Sequence, residues 1–131
     1  MNDELFTNKP TCALKKDNIV LDKSFRFAVR IIRLYQHLKE TKKEYILSKQ
    51  MLRSGTSVGA NVREGNNAES KADFIHKLGI AQKETDETIY WLELLKETDY
   101  LNQTEFNSIY GDADELLKLI RSIILTAKSN R

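Results

Sequence analysis

Residues 53–65 read RSGTSVGANVREG, with three glycines and several small polar residues in thirteen positions of a chain otherwise patterned as helix. A Gly inside a helix costs roughly 0.5–1 kcal/mol relative to Ala, so a helix that keeps such residues is using their small size. Gly55 and Gly59 stand one turn apart. With Ser54 and Ala60, and with the small middle of a later helix (Ala81, Thr85), they predict two backbones in close approach. A G-x-x-x-G pair can also mark membrane-helix dimers, but that use requires an apolar stretch of about 20 residues. Lys49, Arg53, Arg63 and Glu64 flank this one, and no membrane partner is expected.

Helices extend outward from that stretch in both directions. Upstream, Thr41 and Glu44 have the T-x-x-E form of a capping box that would open a helix whose inward stripe is Leu47, Met51, Gly55, Val58 and Val62. Gly65 then suits a left-handed C-cap. Before it, Ser24 is a good N-cap for a helix to about Glu40, with Ala28, Ile31, Tyr35 and Leu38 on one face. Downstream, Ser70 and Asp73 open a third helix. Along it Phe74, Leu78, Ala81, Thr85, Thr88, Leu92 and Leu95 alternate strictly by four and three, the periodicity of a coiled-coil-like seam. Asn102 and Glu105 form another cap, leading to a matching seam of Phe106, Ile109, Ala113, Leu116, Ile120, Ile123 and Ala127. Four amphipathic helices on short connections predict an all-α, antiparallel up-down-up-down four-helix bundle over residues 22–131. Residues 1–21, polar apart from Ile19, Val20 and Leu21, read as an extended N-terminal arm.

A length of 131 residues and 40% hydrophobic content suit one domain. The single Cys12 excludes an internal disulfide framework and fits a reducing cytoplasm. The opening residues lack a signal-peptide order and no apolar run is long enough to span a bilayer, so a soluble cytoplasmic protein is expected. Net charge is +2, but residues 1–64 carry 13 basic against 7 acidic side chains and residues 65–131 carry 8 against 12, hence +6 and −4. Such halves suit either a basic face for an acidic partner, a head-to-tail ring of copies, or pairing within the chain.

The stretch from Gln50 to Leu95 resembles the four-helix-bundle family encoded by intervening sequences within bacterial 23S ribosomal RNA genes. The resemblance rests on Gln50, Leu52, Arg53, Ser57, Val58, Ala60, Asn61, Val62, Glu64, Gly65, Lys71, Asp73 and Phe74, and extends over about residues 22–126. Gly59 stands where the family usually has Pro, and Arg63 where a small residue is usual. The resemblance implies a homopentameric ring of bundles, with no biochemical activity attached. It also implies kinship with the accessory protein of diversity-generating retroelements, a nucleic-acid and reverse-transcriptase binder.

Candidate functional residues fall into three groups. Arg26, Arg30 and Arg33 form a one-sided ridge on the first helix, and Lys49 with Arg53 adds a pair on the second. Together they could track RNA or DNA phosphates. Ser57, Asn61, Arg63, Glu64 and Gly65 form the corner between the second and third helices, readable as an anion or partner site or as caps and an ion pair. Ile89, Tyr90, Trp91 and Leu94 belong to a stretch that is apolar nearly all round, as a homo-oligomer interface would be. No catalytic or metal-binding set is expected, and no cofactor. His37 and His76 have no ligand-spaced neighbour, and Glu84, Asp86 and Glu87 read as an acidic exposed face. The expected function is therefore a non-catalytic, self-associating bundle that binds nucleic acid or ribonucleoprotein, with a protein-interaction ring free of nucleic acid as the alternative.

Overall fold

A computed structural model describes residues 15–130 of the protein. Four helices follow in order: α1 (Lys15–Glu40), α2 (Leu47–Asn66), α3 (Lys71–Glu97) and α4 (Gln103–Ser129). Each packs on its neighbours in sequence, and α4 closes the square against α1. Contacts between neighbours run in opposite directions. Ile31 and Ser24 of α1 face Gly55 and Gly59 of α2; Arg53 and Glu64 of α2 face Glu87 and Lys77 of α3. Lys71 and Lys96 of α3 meet Asn130 and Phe106 at the two ends of α4, and Lys23 and Arg30 of α1 meet Glu115 and Asp112 of α4. As one number rises the other falls, which is the antiparallel arrangement expected. Among the described residues no helix is long and apolar enough to cross a membrane.

The core follows the seams. Leu78, Ala81, Thr85, Thr88, Leu92 and Leu95 of α3 are buried, as are Phe106, Ile109, Ala113, Leu116, Ile120 and Ile123 of α4. Phe74 and Ala127, at the outer ends, are half-buried. The hydroxyls on the seam are satisfied within it: Thr85 donates to the Ala81 carbonyl at 2.8 Å, and Thr88 reaches across to the Ser54 hydroxyl of α2 at 2.8 Å. Ser70 and Asn102 cap α3 and α4 as the sequence predicts, with the Asn102–Glu105 box closed in both directions.

Four local expectations change. α1 begins by Lys15, so residues 15–21 of the expected arm are helical, while residues 1–14, Cys12 included, lie outside the described residues. Ser24 is not a cap but a buried position in the α1 inner stripe of Val20, Ser24, Phe27, Ile31 and Leu38, its hydroxyl donating back to the Leu21 carbonyl at 3.2 Å. Thr41 and Glu44 do not form a capping box. The Thr41 amide closes onto His37 at the end of α1, and the Glu44 carboxylate instead accepts the backbone N–H groups of Ile46 (3.2 Å), Leu47 (3.0 Å) and Ser48 (2.6 Å), so α2 starts later. Gly65 lies inside α2 with ordinary helical φ. A Cβ there would come within 2.7 Å of a Leu78 methyl, so its function is packing against α3 rather than capping.

The small-residue stretch does bring backbones together, on two sides: Gly55 and Gly59 meet α1, while Ser54 and Gly65 meet α3. A Cβ on Gly55 would sit 2.8 Å from both γ carbons of Ile31, and one on Gly59 would sit 3.2 Å from the Ser24 carbonyl oxygen. Because Ile31 is branched next to its own backbone, it cannot swing clear. Gly55→Val is accordingly expected to lose about 2–3 kcal/mol in urea unfolding. Gly111→Ala, in open space on α4, should gain roughly 0.5–1 kcal/mol.

Burial opposes ionisation of Glu44, but the three backbone donors and the Ser48 hydroxyl outweigh it, holding its pKa below the ordinary 4.5. A depressed carboxylate contributes stability that is complete above its unfolded pKa and is lost as pH falls through its folded pKa. Glu44→Ala should cost roughly 1–2 kcal/mol at neutral pH. The gap between variant and wild type should close as thermal melts are taken progressively below pH 4.5.

Candidate interaction surface

Helix geometry puts the basic ridge on the outside of α1, but the structure spends most of its charge internally. Arg26 pairs with Asp22 one turn back at 2.9 Å. Arg30 reaches α4, donating to the Asp112 carboxylate at 2.6 Å and to the Ser108 hydroxyl at 2.9 Å. Arg53 turns the other way, to Glu87 and, at 3.3 Å, Glu84 on α3. Arg33 and Lys49 are exposed and take part in no ion pair among the described residues. The five cations therefore form no single track: Arg30 serves the α1–α4 seam and Arg53 the α2–α3 seam. Beside Arg33, a groove of about 470 Å³ between α1 and α4 is floored by Leu34 and Ile109.

At the α2–α3 corner, Glu64 forms the expected ion pair, with Lys77 at 2.9 Å. Asn61 and Ser57 bond back along α2, Asn61 to the Ser57 carbonyl and Ser57 to the Arg53 carbonyl, rather than across the corner. Arg63 is exposed. It borders a groove of about 660 Å³ between the first half of α1 and the second half of α2, lined by Leu21, Phe25, Ala28, Thr56, Gly59 and Ala60 and rimmed by Glu64, Glu69, Asp73 and Lys77. The groove exists because Gly59 has no side chain and Ala60 only a methyl to fill it.

On α3, the expected interface residues separate. Ile89 is half-buried against the core, so it serves the bundle itself. Tyr90 is 53% exposed, edge-on to Trp91 at 5.0 Å. The Trp91 indole donates to Glu87 at 3.1 Å. That bond is the first reason the Glu87 carboxyl titrates below the ordinary range, against burial and with help from Arg53. Glu87 in turn raises the Arg53 pKa. Leu94, one turn beyond Tyr90, is half-buried.

Sequence reasoning passed over several exposed apolar side chains. Phe25 (58%) and Ile32 (40%) share a stripe on α1 seven residues apart, and Tyr45 (50%) and Ile46 (74%) project from the α1–α2 connection. The signal lay in the helix phase: Phe25 and Ile32 fall on neither the α1 core stripe nor its charged ridge. Leu125 stands exposed on α4. Among the described residues no group of three or more His, Cys, Asp or Glu is placed to hold a metal, and His37 and His76 are both exposed.

Trp91 is the only tryptophan, so its emission reports the Glu87 bond. Titrated downward at a temperature where the fold persists, emission should show a step below pH 4.5, and Arg53→Ala should move that step to higher pH.

No curated protein matches the chain. A solved structure does: a protein of unknown function from the S23 ribosomal protein family of Bacteroides thetaiotaomicron VPI-5482, 57% identical, covering 83% of this chain and 97% of that one with a TM-score of 0.82. A family profile described as "23S rRNA-intervening sequence protein" matches residues 16–122. The chain belongs to the 23S rRNA-intervening sequence protein family.

Proposed function

We propose that this protein is a non-catalytic bundle that works by self-assembly, presenting a ring of copies to its partners. The observation that carries this reading is the distribution of large exposed apolar side chains. Phe25 and Ile32 flank the α1–α2 side, Tyr45 and Ile46 stand at its end, and Tyr90 with half-buried Trp91 and Leu94 occupies the outer side of α3. Soluble monomers seldom group such residues without a use for them. The two surfaces belong to different helices, α1 with its connection to α2 on one hand and α3 on the other. Closed rings use two different faces per subunit. The pentamer implied by the family resemblance is therefore compatible with this arrangement.

Binding of RNA or DNA along the α1 ridge gains little support from the geometry. A phosphate at Arg26, Arg30 or Arg53 would have to displace a carboxylate already in place. What supports a partner-binding role is the exposed apolar surface.

Light scattering after size-exclusion chromatography should give a mass near 76 kDa, five times the 15.2 kDa chain. A monomer would overturn the reading. Titration with single-stranded RNA at two salt concentrations should show no saturable binding. Binding that weakens steeply with salt and disappears when Arg26, Arg30 and Arg33 are all changed to Glu would favour the nucleic-acid reading instead.

A further inference from the structure

The connection between α1 and α2 is an unusual loop. Its six residues, Thr41 to Ile46, hold two lysines, a tyrosine and an isoleucine, and the two apolar side chains are among the most exposed in the molecule. The loop is nevertheless fixed. Glu44 is buried beneath it and gathers three backbone N–H groups, and Lys43 is held at φ 57°, a left-handed conformation that a lysine adopts only when its surroundings require it. Around the projecting pair stand Lys42, Lys43 and Lys49, all exposed and none in an ion pair among the described residues. A rigid basic-apolar knob is built here and left uncovered.

We infer that this knob docks onto the Tyr90–Leu94 stripe of α3 in a second copy of the chain. Two arguments select that receptacle over the other concave surfaces. The first is charge. One turn from Tyr90, exposed Glu93 takes part in no ion pair among the described residues, while Asp86 and Glu97 meet Arg121 and Lys96 only at 3.9 Å, so the stripe keeps an acidic excess where the knob is basic. The groove beside Arg33 holds Arg30, already paired with Asp112, and Glu105, so its charges nearly cancel and it offers the knob no acidic excess.

The second is level. The pairing of Arg53 with Glu87 puts the C-terminal half of α3 beside the start of α2, at the same end of the bundle as the knob. The larger α1–α2 groove, at Gly59 to Glu64, lies 13 to 18 residues along α2 from Ile46, or about 20–27 Å at 1.5 Å per residue. Docking there would shift each copy along the bundle axis and produce an open helix. Docking on the α3 stripe needs no shift and permits a closed ring.

This inference rests on the self-assembly proposed above and adds the contact that makes it. The test is charge exchange, read as mass by light scattering at several protein concentrations, with helical circular dichroism recorded for every variant. Lys42→Glu with Lys43→Glu should weaken assembly by at least about a hundredfold, and so should Glu93→Lys with Glu97→Lys, because each sets like charges against each other. All four changes in one chain should restore the wild-type mass, since the acidic knob then meets a basic stripe. Tyr45→Ser with Ile46→Ser should dissociate the assembly without any change of charge. The contact is overturned if the one-sided variants keep the wild-type mass, or if the fourfold exchange stays dissociated while folded. In either case self-assembly of the wild type would still stand, whereas a monomeric wild type would remove both.

Discussion

The close approach of α1 and α2 is the constraint from which much of this structure follows. Where Ser24 and Ile31 meet Gly59 and Gly55 there is no room for a Cβ without displacing either backbone or a β-branched side chain. Two helices held that near each other carry little side-chain material between them. The surface above the contact is therefore a groove rather than a ridge, and Phe25, lining it, is left without an intrachain cover. The helix-propensity cost of the glycines is offset by α1 burying Val20, Phe27, Ile31 and Leu38 against the rest of the core. On the opposite side of α2, the Ser54–Thr88 bond and the Gly65–Leu78 contact set α3 at its own distance. One helix of small residues thus positions both neighbours.

How much of this could be read from the sequence varies with how local the determinant is. The α3 and α4 seams were visible because a strict four-three alternation admits only one buried face. The Ser70 and Asn102 caps were visible because their hydrogen bonds close within four residues. Ser24 was misread because a serine's cap preference is a local tendency, whereas here its value lies in being small under Gly59. Gly65 was misread for the same reason: its fitness for a C-cap is intrinsic, but the nearness of Leu78 decides its use. Glu44 was recognised as a capping residue and placed one motif too early, since only the fold shows that its carboxylate faces the amides after it rather than the threonine before it. The helix partnering Gly55 and Gly59, α1 instead of α3, depends on packing that no pattern within α2 encodes.

The candidate site changed more than the fold, and electrostatics explains why. A row of arginines at helical spacing identifies which charges share a face, but not which carboxylates another helix will bring beside them. Asp112 and Ser108 are 82 and 78 residues from Arg30, and Glu87 is 34 from Arg53. Each such pair is partly exposed and contributes only about 0–1 kcal/mol to stability. Its larger consequence is for recognition, because a guanidinium already facing a carboxylate presents much less positive potential to an incoming phosphate. The opposite charges of the two halves of the sequence are thus partly satisfied within one subunit. Lys42, Lys43 and Lys49 at the α1–α2 connection, and Glu93 on α3, are among the charges left outside any ion pair in the described residues.

Those residual charges differ from the ridge in how they are held. A flexible lysine-rich loop would lose conformational freedom on docking, at roughly 1 kcal/mol or more for each ordered residue. In this loop the ordering is complete before any partner arrives, because Glu44 has already fixed the amides of Ile46, Leu47 and Ser48. The free energy of setting Lys43 in a left-handed conformation is likewise met by folding, not by association. In the proposed contact, Tyr45 and Ile46 would reach their docking surface with most of the entropic cost already covered, and the apolar area buried there would contribute directly to affinity. The same clamp ties the loop to acidity. Protonation of Glu44 would release the three amides together, so the α1–α2 connection and the start of α2 would loosen over the same range of pH.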